Sequence, residues 1–91
     1  MQMIGIVGTG AMGRGIAQIA AQAGLRVKLF DANAQAVEAA RAALADTLAK
    51  LAAKGKLTAE EADATIARLL PAGALTDLAD CDLVVEAIVE K

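Results

Sequence analysis

Six consecutive residues, Gly8-Thr9-Gly10-Ala11-Met12-Gly13, form the pattern G-x-G-x-x-G. The pattern gains meaning from its neighbours. It follows a short apolar run, Met3 to Val7, and precedes a helical pattern. An acid, Asp31, stands 18 positions beyond Gly13 at the end of the next apolar run. Together these parts suit a dinucleotide. Gly8 permits the turn out of the strand, Gly10 lets a pyrophosphate approach the backbone, and Gly13 lets the helix pack closely on the strand. The free N–H groups at the helix start then face the phosphates. The helix dipole adds on the order of 0.3–1 kcal/mol. Asp31 is expected to accept hydrogen bonds from the two adenosine ribose hydroxyls and to repel a 2′-phosphate. Positions 32 to 34 are Ala, Asn and Ala, with no cation to neutralise such a phosphate. The expected cofactor is therefore NAD rather than NADP. The bland alternative is a strand–helix turn with a solvated Asp31.

Other polar residues carry weaker signals. Arg14, in the first helical turn, either approaches a phosphate or is a solvated helix side chain. Glu86 interrupts an apolar strand near its C-terminal end, where α/β sheets bind ligands. It faces either the crevice or solvent and a neighbouring domain. Glu90, just past that strand, is better placed for ligand contact. Cys81 lies between Asp80 and Asp82, which disfavour its thiolate, so it reads as structural. The chain contains no His, the commonest general base and metal ligand, and neither a catalytic residue nor a metal site is expected within it.

The elements that position these residues alternate between strand and helix. Met3 to Val7 reads as a buried parallel strand. Ala11 to Ala23 reads as a helix with Met12, Ile16, Ile19 and Ala23 on its apolar face, capped by Gly24. Arg26 to Phe30 is the second strand. Asn33 is placed to cap a long helix over Ala34 to Ala53, with Val37, Ala40, Leu44, Leu48 and Leu51 as its stripe. Thr58 and Glu61 form a T-x-x-E box opening a helix from Ala59 to Leu69, with Ala62, Ile66 and Leu69 buried. A short strand over Leu69 to Ala72, a loop or single turn over Thr76 to Asp80, and a strand over Leu83 to Ile88 complete the chain. The expected fold is α/β: a Rossmann-type open parallel sheet of βαβ units, with a charged helical hairpin after the second strand. The hairpin's polar residues read as solvated faces.

Composition narrows the class. The 91 residues make one small domain, 57% hydrophobic, which is unlike a disordered tail. Nine Lys and Arg stand against eleven Asp and Glu, for a net charge of −2 without a basic stripe. Nucleic-acid binding has no electrostatic support. No apolar segment has the length of a membrane span, no secretory signal is visible, and one unpaired cysteine fits a reducing cytoplasm. The start at Met1, just before the first strand, reads as the beginning of a gene product. The end at Glu90-Lys91, where a crossover helix would follow, reads as a truncation. The outer strand then presents an open edge, and self-association or modest stability is expected.

The run from Ile6 through Gly8 to Gln18, with Leu29-Phe30-Asp31, resembles the start of the 3-hydroxyacyl-CoA dehydrogenase family, including 3-hydroxybutyryl-CoA dehydrogenases. Leu51 to Leu69 is similar to that family's helical excursion, and Asp82 to Glu90 to its fourth strand. The resemblance implies that residues 1–91 are the N-terminal part of an NAD-binding domain. Gly8, Thr9, Gly10, Ala11, Met12, Gly13 and Asp31 would bind the ADP half of NAD. Ala87 and Ile88 would contact the cofactor through backbone, and Glu90 would lie near the nicotinamide ribose. It further implies an enzyme of fatty acid metabolism that oxidises L-3-hydroxyacyl-CoA to 3-ketoacyl-CoA with hydride transfer to NAD. A His–Glu pair and a helical domain that closes over the acyl-CoA and forms a homodimer would both lie beyond Lys91. The isolated chain is expected to be inactive. Two other readings compete: an NAD(P)-dependent reductase such as 3-hydroxyisobutyrate dehydrogenase or pyrroline-5-carboxylate reductase, and a non-catalytic nucleotide-binding module.

Overall fold

The computed structural model describes residues 2–88. Four strands alternate with helices: β1 (Met3–Val7), α1 (Ala11–Gln22), β2 (Arg26–Phe30), α2 (Ala34–Ala53), α3 (Ala59–Ala67), β3 (Leu69–Pro71) and β4 (Leu83–Glu86). A single 3-10 turn, Leu75–Leu78, joins β3 to β4. The strands lie in the order β3-β2-β1-β4, and every pairing is parallel. The chain therefore builds outward from β1 to β3, then returns to place β4 on the free side of β1. That reversal creates a switch point beyond the carboxyl ends of β1 and β4, where open α/β sheets bind ligands.

Side-chain alternation divides the sheet into two unlike faces. Ile4 and Ile6 pair in register with Val27 and Leu29, and Val27 with Leu69. These residues pack with Ala17, Ala20, Ala21, Val37 and Leu44 to form the core. On the other face, Gly5 lies beneath Leu78 and Cys81, and a Cβ there would sit 3.2 Å from each side chain. Lys28 reaches the same turn, donating to the Asp77 carbonyl at 2.8 Å and pairing with Asp80 at 2.7 Å. Coverage is thin beyond this turn: Val84 and, on the edge, Leu83 are exposed. Burial, followed by the negative charge of Asp80, raises the Cys81 thiol, which agrees with a structural cysteine.

The face of α1 differs from the periodicity reading. Gly13, Ala17, Ala20 and Ala21 are buried, whereas Met12 is 57% and Ile19 73% exposed. Ala23 is exposed as well, and Ile16 is only partly buried. The helix is held so close to the sheet that its fully buried positions are all Gly or Ala; Met12 and Ile19 turn outward, and Ile16 packs only at the margin of the core.

In α2 the expected boundaries hold, with Asn33 accepting from the Gln35 N–H. Val37, Ala40, Leu44 and Leu48 are buried, and Leu51 is partly so. In α3 the helix stops at Ala67, with Ala62 and Thr65 buried and Ile66 half-buried. Leu69 is instead the first residue of β3, paired with Val27. The Arg41 Nε–H donates to the Leu69 carbonyl at 3.0 Å, helping to fix that transition. Strand β4 ends at Glu86 rather than Ile88, because its last pairing is with Val7 before β1 gives way to the glycine turn.

Both halves of the capping box are made: the Glu61 N–H donates to Thr58 Oγ1 and the Thr58 N–H to Glu61 Oε1, each at 3.0 Å. Thr58→Ala is expected to cost about 1 kcal/mol of unfolding free energy. Urea unfolding followed by circular dichroism checks this, and an unchanged midpoint would show that the cap is dispensable.

Candidate functional site

The site begins at the end of β1. Gly8 turns the chain with φ +100°, a conformation that a side chain would strain. Its N–H donates to the Phe30 carbonyl at 2.8 Å, which ties the turn to β2. A Cβ at Gly8 would lie 3.0 Å from the Ala87 backbone. At Gly13 a Cβ would be driven into the Gly8 carbonyl oxygen, so this glycine sets the close approach of α1. At Gly10 a Cβ would meet nothing within 4 Å, so the loop presents open space there. No side chain caps the start of α1. The first amides of the helix, from Ala11 to Gly13, are the ones that such a start leaves without an intrahelical acceptor.

Asp31 stands opposite, at the end of β2, and the loop grips its carboxylate. Oδ2 accepts from both the backbone N–H and the Oγ1 hydroxyl of Thr9, each at 3.0 Å. Oδ1 accepts from the Asn33 N–H at 3.0 Å. The Asn33 and Thr9 backbone N–H groups, in that order, hold the carboxyl below its ordinary value of 3.8, against the opposing effect of burial. It is therefore ionised throughout the physiological range.

These parts line one cleft of about 380 Å³. Gly8, Thr9, Gly10, Asp31, Ala87 and Ile88 all border it, so six of the residues singled out in the sequence come together. Ala11, Met12 and Gly13 do not line it: Ala11 borders a separate groove between α1 and α2, Met12 is exposed, and Gly13 is buried against the Gly8 carbonyl. Val7, Phe30 and Ala32 also line the cleft. Sequence reasoning passed over these three, although each adjoins a residue it selected. Ala87 is buried, and its N–H donates to the Val7 carbonyl at 2.8 Å, fixing the segment after β4 against the glycine turn. Glu90 lies outside the described residues.

Two weaker candidates are elsewhere. Arg14 lies in a groove between α1 and α2 with Ala43, Leu44 and Thr47, not in the cleft. Glu86 is exposed and borders an apolar depression with Leu75, Leu78 and Val84, also outside the cleft. Among the described residues no group of three side chains could hold a metal, and no helix is long and apolar enough to cross a membrane.

A cleft at the switch point of a parallel sheet, bordered by the glycine loop that leads into the uncapped start of α1 and by an ionised carboxylate, suits an adenosine diphosphate. The class is thus a Rossmann-type nucleotide-binding domain. Residues 3–91 match the model of a family described as "3-hydroxyacyl-CoA dehydrogenase, NAD binding domain". The chain belongs to that family, and its cofactor is NAD. It is 41% identical over 91 residues to a 3-hydroxybutyryl-CoA dehydrogenase of Bradyrhizobium diazoefficiens, covering 100% of this chain and 31% of that protein. A crystal structure of 3-hydroxybutyryl-CoA dehydrogenase from Escherichia coli superposes with a TM-score of 0.94 at 40% identity, covering 99% of this chain and 19% of the other. A (S)-3-hydroxybutyryl-CoA dehydrogenase from Ralstonia eutropha gives 0.94 at 38% identity, covering 100% and 32%. The chain thus spans about a third or less of these relatives. The match decides against the 3-hydroxyisobutyrate dehydrogenase and pyrroline-5-carboxylate reductase readings.

Proposed function

We propose that this chain holds NAD as hydride acceptor for the oxidation of an L-3-hydroxyacyl-CoA to the 3-ketoacyl-CoA. The observation that carries the reading is the meeting of Gly8, Gly10, Asp31 and Ala87 around one cleft at the switch point of the sheet. The relatives named 3-hydroxybutyryl-CoA dehydrogenase supply the substrate class. In this reading the amides after Gly10 receive the pyrophosphate, Asp31 takes the adenosine ribose, and Ala87 and Ile88 lie along the cofactor. Glu90 would stand toward the nicotinamide ribose.

NAD supplies the hydride-accepting ring, and the work of this chain is to bind and orient it. The chain has no His, the commonest general base, and in this reading the group that removes the hydroxyl proton would lie outside residues 1–91. In this reading the acyl-CoA and the homodimer contacts would likewise be held by residues outside 1–91. A single cysteine, held structural, suits a cytoplasmic setting.

Fluorescence titration of the chain with NADH and with NADPH tests the reading. No Trp or Tyr contributes background. NADH is expected to bind and NADPH to bind more weakly. A folded chain that binds neither, or that prefers NADPH, would overturn the assignment. Incubation with 3-hydroxybutyryl-CoA and NAD is expected to yield no NADH.

A further inference from the structure

The hydrogen bonds around Asp31 leave a mismatch between what the carboxylate offers and what a ribose brings. A carboxylate has about four lone-pair sites. Three are occupied here, two on Oδ2 by Thr9 and one on Oδ1 by the Asn33 N–H. Asn33 is itself held, because its side chain caps α2 through the Gln35 N–H at 3.0 Å. One site on Oδ1 remains, whereas a ribose diol presents two O–H donors.

The second acceptor is at hand. Thr9 lines the cleft and is only 6% exposed, with its hydroxyl proton committed to Asp31 Oδ2. A hydroxyl that donates one hydrogen bond keeps two lone pairs for accepting others. Donation to a carboxylate also polarises the hydroxyl and strengthens it as an acceptor. The Thr9 N–H donates to the same Oδ2 at 3.0 Å, so the loop residue and the carboxylate are held together at the edge of the cleft that both line.

We propose that Thr9 is a specificity-determining residue: its Oγ1 accepts one adenosine ribose hydroxyl while Asp31 Oδ1 accepts the other. The diol is then read by a hydrogen-bonded Thr9–Asp31 pair rather than by the carboxylate alone. This rests on the NAD reading above.

The test compares Thr9→Val, Thr9→Ser and Thr9→Ala with the natural chain. Each is titrated with NADH and with two analogues, one carrying 2′-deoxyadenosine and one 3′-deoxyadenosine. Thr9→Val should weaken NADH binding about 3- to 10-fold, the range for loss of one hydrogen bond. Thr9→Ser should restore it. For one of the two deoxy analogues, Thr9→Val should bind like the natural chain, because the hydroxyl that Thr9 receives is already missing. Should Thr9→Val fail to give a cooperative melt, Thr9→Ala against Thr9→Ser makes the same comparison.

Equal loss for NADH and both analogues would reduce Thr9 to a loop-shaping role and overturn the proposal. Tighter NADH binding by Thr9→Val would also overturn it, since the hydroxyl would then be competing with the ribose for Oδ2. If the natural chain binds no dinucleotide, the NAD reading falls and takes this proposal with it. If it binds NADH and the Thr9 variants do not differ, this proposal falls alone.

Discussion

Gly13→Ala is expected to lower the melting temperature of the chain by roughly 12–24 °C and to abolish NADH binding. The added methyl would be driven into the Gly8 carbonyl oxygen, with the Gly8 carbonyl carbon and the Ile6 side chain close behind. Overpacking costs about 1–3 kcal/mol, and a backbone obstacle that cannot swing aside puts this site at the upper end. In a domain of this size each kcal/mol moves the midpoint by about 4–8 °C. Relief requires α1 to move away from β1, which spoils the buried contacts of Ala17, Ala20 and Ala21. The same movement withdraws the helix-start amides from the cleft, so stability and binding fall together. Gly15→Ala is the matched control, two residues along the same helix. A Cβ there meets nothing within 4 Å, and the change should stabilise by about 0.5–1 kcal/mol. Circular dichroism melts of both variants decide the matter. A Gly13→Ala melt like that of the natural chain would show that the glycine is not what sets the helix–loop distance.

That close approach also explains where the sequence misled. Local signals were legible because they act within a few residues: Asn33 caps α2, Thr58 and Glu61 box α3, and Gly8 turns the chain. The face of α1 was not legible, because hydropathy weights Met12 and Ile19 above the alanines. Nothing in the periodicity says that the sheet will be too near for large side chains. Gly13 reads as allowing close helix–strand packing, but that reading does not say which face of α1 turns inward. The end of α3 failed for a similar reason. Leu69 continues the helical stripe, but pairing with Val27 in the sheet claims it. Pairing with a distant strand leaves no mark on the local pattern. At the site, the glycine loop and Asp31 could be selected from spacing alone. The grip of Thr9 on Asp31 joins residues 22 apart in the chain and appears only once the loop is folded over β2.

Asp31→Ala should weaken NADH binding by about 10- to 100-fold, the scale of a lost hydrogen bond to a charged acceptor. It should also erase the preference over NADPH, since the 2′-phosphate would no longer meet a negative charge. Part of the loss comes from the loop: the Thr9 N–H, the Thr9 hydroxyl and the Asn33 N–H would all lose their acceptor. Asp31→Asn separates these effects. One amide oxygen can still accept, so the loop should hold its shape better, while the repulsion of a 2′-phosphate disappears. The charge has a pH signature whose sign follows from the same hydrogen bonds. They favour the ionised form and hold the carboxyl below its ordinary value of 3.8. The stabilisation they give is therefore complete above that value and is lost only as the pH falls through the lower, folded one. NADH affinity of the natural chain should accordingly stay level from pH 8 down to about 5, above the ordinary carboxylate range. A decline within that interval would mean that a different group carries the recognition. If Asp31→Asn kept both full NADH affinity and discrimination against NADPH, the carboxylate charge would have no part in cofactor choice.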